Sequence, residues 1–132
     1  MHTDLLLSAF HIEPTGVPIY VQIREQLLGA IGAGLLRPGD QMPTMRQVAV
    51  ALTVDLNTVR HAYDELERMG VLRLERGRGS FVAEAPAPAE GRARLDAADR
   101  IARQSLAKAA AAGVEPRFLI ERIAALAATK ED

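Results

Sequence analysis

The chain has 132 residues, with 16 Lys and Arg against 17 Asp and Glu, a net charge of −1. That length suits one hydrophobic core, or one compact domain with an extension, and the near-neutral balance lacks the whole-domain basicity expected of a nucleic-acid binder. Cysteine is absent, which excludes disulfides and thiolate metal sites and fits a reducing cytosol, and no apolar run approaches the roughly 20 residues that cross a bilayer, so no membrane partner is expected.

Residues 1–15 read as an N-terminal arm. Leu5-Leu6-Leu7 is too short for a secretory core, and no basic region precedes it. The stretch 10–13 has two open readings, a short strand against the domain that follows or an ordered arm. Residues 16–83 then form one unit. Pro18 is placed to start its first helix. Ile19, Ile23, Leu27 and Ile31 recur every four residues and should cover the elements that come next. Gly34 is a plausible C-cap and Pro38-Gly39 a turn.

Two short helices follow. Thr44 and Gln47 have capping-box spacing, with Pro43 just before. Met45, Val48, Ala49 and Leu52 form the apolar stripe of the first. Thr53-Val54-Asp55 is a short connection. Either Asp55 or Asn57 can cap the second helix, whose apolar face is Val59, Ala62, Leu66 and Met69. Asn57, Thr58, Arg60, His61 and Asp64 fall elsewhere around its first turns. Several of these carry short or hydrogen-bonding side chains, of the kind that meets base edges and phosphates. Two helices so close must cross steeply, which lets the second project into a major groove.

Next comes a strand at 71–75, a tight tip of Arg76-Gly77-Arg78-Gly79, and a return strand at 80–83. The two glycines permit positive φ and close backbone approach. The arginines make the tip cationic, which suits phosphates or a narrow minor groove. A dinucleotide-type glycine loop is ruled out, because position 82 is Val and no helix follows. The pattern is a winged helix-turn-helix. A plain helical hairpin with a solvated face would account for the helix pair but leave the wing unexplained.

Residues 84–91 are a linker by composition, stiffened by proline. Residues 92–132 form a helical tail. Its first helix, 92–112, carries Leu95, Ala98, Ala102, Ser105 and Ala109 on one stripe with Ile101 and Leu106 beside it. Gly113 ends it, and Pro116 opens a last helix with Phe118, Leu119, Ile120, Ile123 and Leu126. One hairpin cannot bury so wide an apolar surface. It must pack on its own head or pair with a second copy as a four-helix dimer unit, and pairing is the expectation. The fold class is therefore mainly α with a small β-wing, a winged helix-turn-helix head followed by a two-helix dimerisation tail.

The segment 18–82 resembles the DNA-binding head of the GntR family of bacterial transcription regulators. The matching residues are Pro18-Ile19-Tyr20, Gln22-Ile23, Gly34-Leu35 and Pro38-Gly39-Asp40. They continue with Met42-Pro43, Arg46, Val48-Ala49, Asn57-Thr58-Val59-Arg60, Ala62-Tyr63, Leu66-Glu67, Gly70 and the run Gly77 to Val82. With its short helical tail, the Asn57-Thr58-Val59 form is similar to the YtrA-like branch. Leu56 departs from the Arg or Pro of many relatives, Thr44 from a common Ser, and Asp55 sets a negative charge near the expected DNA face. These departures bear on the operator sequence rather than on the binding mode.

The resemblance implies a cytoplasmic, sequence-specific repressor that binds a two-fold-related DNA operator as a homodimer. Thr44, Arg46, Asn57, Thr58, Arg60, His61, Arg76, Gly77, Arg78 and Gly79 are the candidate DNA-contacting residues. Leu95, Ile101, Leu106, Phe118, Leu119, Ile120, Ile123 and Leu126 are the candidate dimerisation residues. No cofactor is expected, since the length leaves no room for the pyridoxal-binding aminotransferase-like domain of larger relatives. A small-molecule effector would have to sit between subunits, and no residue set announces one.

Enzyme readings find little support. His2, His11 and His61 lack metal-ligand spacing, Ser8, Ser80 and Ser105 lack a nucleophile-elbow context, and Asp64-Glu65 and Asp96/Asp99 read as solvated acidic pairs. Two rivals remain. A winged helix that docks protein without binding DNA suits the near-neutral charge. RNA binding is weakened by the few aromatics, of which Tyr20, Tyr63 and Phe81 are better explained as core or interface residues.

Overall fold

In the computed structural model, residues 2–84 and 90–128 are described. The elements are α1 (His2–Ser8), α2 (Ile19–Gly32), α3 (Met45–Leu52), α4 (Leu56–Arg68), β1 (Leu72–Glu75), β2 (Gly79–Val82), α5 (Gly91–Ala111) and α6 (Pro116–Ala128). The chain divides into two compact units, 1–84 and 85–132. Within the linker span 84–91, residues 85–89 lie outside the described residues.

In the first unit the helix starts are written locally. Thr44 Oγ1 accepts from the Gln47 amide at 3.0 Å, and Gln47 Oε1 accepts from the Thr44 amide at 2.8 Å. This is the capping box expected from the spacing. Of the two candidates for α4, Asp55 is the cap, its Oδ2 accepting from the Asn57 amide at 2.9 Å. Between the helices Thr53 adopts φ 55°, and it is the one non-glycine with positive φ among the described residues. A β-branched residue is poorly suited to that conformation. The tight turn imposes it, with the Val54 amide returning to Ala49 O at 3.0 Å.

The core is built on α4. Val59, Ala62, Tyr63 and Leu66 are buried there, against Ile23 and Leu27 of α2, Val48 of α3, and Leu72 and Val82 of the wing. Two sequence expectations shift. Met69 is 53% exposed, because α4 ends at Arg68 and the chain turns away at Gly70, whose φ is 84°. Tyr63 takes its place in the apolar face, and its hydroxyl donates to Pro43 O. Burial pushes the Tyr63 phenol well above its ordinary pKa, so it stays a neutral donor. Ile19, expected to cover the helix pair, is also largely exposed.

β1 and β2 pair antiparallel, Leu72 opposite Val82 and Glu75 opposite Gly79. The segment 39–42 runs along the other side of β2. Gly39 N donates to Val82 O at 2.9 Å, Val82 N to Asp40 O at 2.8 Å, and Met42 N to Ser80 O at 2.8 Å. The wing is thus held to the chain that precedes α3.

Of the two readings of 10–13, the structure removes the strand and leaves the ordered arm. Residues 2–8 form α1, which places Leu6 and Leu7 in the core. Residues 10–13 form no strand. The side-chain amides of Gln22 and Gln26, one turn apart on α2, take the role of a strand partner. Gln26 accepts from His11 N at 3.1 Å and donates to His11 O at 2.8 Å. Gln22 accepts from Glu13 N at 2.8 Å and donates to Glu13 O at 2.9 Å.

In the second unit α5 and α6 form a hairpin. It turns at Gly113, with Val114 N donating to Ala109 O at 2.8 Å, the long bond of a Schellman ending. Ala109 is the one buried hydrophobic residue of this unit among those described. Leu95, Ile101, Leu106, Phe118, Ile120, Ile123 and Leu126 are all exposed, and Leu119 is half-buried.

Candidate nucleic-acid interface

Three elements of the first unit converge on one open groove of about 260 Å³. Thr44 and Arg46 come from the start of α3, Leu56 and Arg60 from the first turns of α4, and Gly79 and Ser80 from β2. Local sequence explains this meeting. The two caps fix where α3 and α4 begin, the core stripes fix which way they face, and the 39–42 segment ties β2 beside them. Four of the ten candidate residues, Thr44, Arg46, Arg60 and Gly79, line this groove.

The side chains differ in how committed they are. Arg46 is exposed and makes no ion pair among the described residues. Thr44 spends one lone pair of its hydroxyl on the cap, yet the hydroxyl proton remains available to donate. Arg60 is held by Asn57, whose Oδ1 accepts from Nη1, so the pair is presented together on the exposed side of α4. Thr58 is half-buried beside them.

At the wing tip Gly77 has φ 81°, and space around its missing side chain is open. A branched residue there would be strained by the backbone rather than blocked by a neighbour. Gly79 is different. A Cβ at that position would lie 2.9 Å from Gln41 Nε2. That Gln41 amide donates to Arg78 O at 3.0 Å and fastens the tip. Arg76 is exposed with no ion pair among the described residues. Arg78 folds back, its Nη1 2.8 Å from Glu75 Oε1. Its guanidinium lies 5.5 Å from the centre of the Phe81 ring, and that of Arg73 lies 5.0 Å from it.

His61 is not brought to the groove. Its ring stacks on Tyr20 of α2, centroids 3.7 Å apart, with Nε2 3.8 Å from Glu65 Oε2. Glu65 also contradicts the reading of Asp64-Glu65 as a merely solvated pair. It receives Arg24 of α2 at 2.6 Å and Arg68 at 3.7 Å. Burial alone would lower the Arg24 pKa, but the hydrogen bonds to Glu65 and Glu25 and the negative charges of both together outweigh it and raise the pKa overall. Glu65 therefore locks α4 to α2 by charge as well as by packing.

Sequence reading missed Gln41, Arg73 and Glu75. Strand alternation carried a signal for the last two. Arg73 pairs across the hairpin with Phe81, and Glu75 lies two residues on, so both share its face. Among the described residues no cluster of His, Asp and Glu could hold a metal ion.

Comparison with known proteins matches this region. A family model described as bacterial regulatory proteins, gntR family, covers residues 19–82. The chain is 40% identical over 67 residues to the HTH-type transcriptional regulator YhcF of Bacillus subtilis, covering 51% of this chain and 55% of that protein. It is 40% identical over 74 residues to the transcriptional repressor YtrA of the same organism, covering 55% and 57%. The chain thus spans little more than half the length of these two relatives. A crystal structure of the DNA-binding domain of AraR in complex with operator ORX1 is similar at 29% identity and a TM-score of 0.51, covering 55% of this chain and 87% of that one. The winged unit described above is the part that these proteins share with it, and residues 19–82 of the chain are a domain of the GntR family of bacterial regulatory proteins.

Proposed function

We propose that this protein is a cytoplasmic, sequence-specific DNA-binding transcription regulator, a repressor of the YtrA-like kind. It binds a two-fold-related operator as a homodimer, without cofactor or catalysis. The observation that carries the reading is the groove shared by Arg46, Arg60 and the wing. A base edge in a major groove needs forked donors at a helix start, and a phosphate needs exposed cations and close backbone. Both are on one face. The relatives support the reading, since one is named a repressor and a similar domain is seen in complex with an operator.

The tail supplies the dimer in this reading. Its exposed Leu, Ile and Phe side chains are what a second hairpin would cover. A weakly charged head gains from such pairing. Residues 14–82 hold eight Arg against seven acidic residues, so one head alone has little long-range attraction for a duplex.

Selection from random double-stranded DNA, followed by titration of the selected site at several salt concentrations, tests the proposal. A two-fold-related consensus is expected, with log affinity falling by roughly 0.9 per phosphate neutralised for each decade of salt. Salt-insensitive or absent binding would favour the protein-docking alternative.

A further inference from the structure

The wing carries more positive charge than its tip, and that charge is internally occupied. Arg73 on β1 and Arg78 at the tip both reach Glu75. Arg78 Nη1 is 2.8 Å from Oε1, and Arg73 Nη1 pairs with Oε2. Both guanidiniums also lie against the one Phe81 ring. Arg73 has a second, looser carboxylate at 3.9 Å in Glu84. The Arg78 side chain is 71% exposed, whereas Glu75 is only 29% exposed. The carboxylate is thus the fixed member of the cluster, and the arginine is the member able to leave it. Arg76, next in sequence to Glu75, has no such partner among the described residues.

We propose that Glu75 is a specificity-determining residue, an intramolecular competitor that holds Arg73 and Arg78 away from DNA phosphate. The inference rests on the DNA-binding reading above. Phosphate contacts supply nearly all non-sequence-specific affinity. A carboxylate that already satisfies two guanidiniums removes much of that affinity, because a phosphate must displace it. On the operator, base contacts from α4 fix the register of the head, and affinity depends less on these two arginines. On random sequence no base contact fixes the register, so the head settles where its arginines meet most phosphates, and a competitor for them costs most there. Glu75 would weaken binding everywhere, but most on random sequence, and so widen the ratio between the two. Exposed ion pairs are individually weak, so the exchange is reversible and the expected effect is modest.

The experiment uses the full chain and two duplexes, the selected operator and a scrambled one of equal length. Glu75→Gln keeps the shape of the side chain and removes its charge. Glu75→Thr, which suits a strand, is the second variant should the first fold poorly, with folding checked by circular dichroism. The expected result is scrambled-duplex binding tightened by about three- to tenfold and operator binding tightened less. The salt slope should steepen by up to about 0.9 for each additional phosphate engaged. In an Arg78→Gln background the effect of Glu75→Gln should shrink, because the competitor has lost its main partner. Equal tightening on both duplexes, unchanged binding, or weaker binding on both would overturn the proposal while leaving the DNA-binding reading intact. A wild-type chain that binds neither duplex would overturn that reading, and the proposal with it.

Discussion

The two units of this chain solve the problem of apolar surface in opposite ways. In the head, four helices and a hairpin enclose Ile23, Leu27, Val48, Val59 and Leu66 with essentially no exposure. In the tail, two helices of good length bury one alanine and leave seven large hydrophobic side chains more than 40% exposed. The difference is geometric. Elements arriving from several directions can close around a centre, whereas a lone pair of helices has only one shared seam. The head therefore carries its own stability, and the tail carries a surface that becomes stable when something covers it. In the proposed function these are two halves of one device, a reader and a coupler.

Removing core from the head should produce the largest effect. Leu66 is fully buried in the last turn of α4, so Leu66→Ala should destabilise the unit by about 2–5 kcal/mol. Denaturant titration of the head, residues 1–84, would measure this, with a midpoint independent of protein concentration. A loss below about 1 kcal/mol would show that the head core is less self-contained than its burial implies.

The coupler is tested by taking it away. Truncation after Glu84 should leave a folded monomer whose operator affinity is lower by at least ~100-fold, near the low end of avidity gains. Ile123→Asp with Leu126→Asp should have the same effect in the full chain, since buried carboxylates would oppose pairing of the tails. Sedimentation and DNA titration on the same samples decide the matter. A truncated head that stays dimeric, or that binds as tightly as the whole chain, removes the contrast between the units.

Arg46 sharpens the division of labour. Exposed and without an ion pair among the described residues, it is the arginine of the groove most ready to contact a base. Arg46→Ala should cost about 1–3 kcal/mol per head on the operator if it makes a paired guanine contact, and should relax the preference at that base pair. The cost in the full chain should be about twice that in the isolated head, because two heads bind together. Equal losses on operator and random DNA would make it a phosphate anchor.

What the sequence disclosed follows the same line between local and distant. The capping box of Thr44 and Gln47, the cationic turn at Gly77 and the stop at Gly113 are each decided within a few residues, and the structure shows them as expected. Helix α1 was not legible. Its Leu5-Leu6-Leu7 run has no helical period, and what holds it is the core formed by elements far along the chain. Likewise the extended segment after it depends on Gln22 and Gln26, polar residues with no pattern of their own. The groove was legible in outline because α3, α4 and the wing are consecutive. The Arg73–Glu75–Arg78 cluster was not, since it requires knowing the hairpin register, and His61 was assigned to the DNA face without sight of the Tyr20 ring that holds it.

The smallest expected effects concern how helices begin, and they reach back to the contrast between the units. Both helices of the helix-turn-helix start on a side-chain cap, Thr44 for α3 and Asp55 for α4. Helix α5 of the tail has none, since Glu90 at its start makes no capping hydrogen bond. Loss of a cap typically costs about 1 kcal/mol, so Thr44→Ala and Asp55→Ala should each destabilise the head by roughly that amount, whereas Glu90→Ala should change the stability of the whole chain by less than about 0.5 kcal/mol. Asp55 allows a finer separation. Asp55→Asn retains an N-cap oxygen of comparable preference and removes a negative charge from the leading end of α4. Stability should move by only a few tenths of a kcal/mol, less what the helix dipole gained from the charge. Operator affinity at low salt should rise by a few-fold, since a carboxylate beside the approaching phosphates repels them. If Asp55→Asn left affinity unchanged, the start of α4 would not face the backbone. If it cost stability as much as Asp55→Ala, the charge rather than the cap would be what holds the helix start in place.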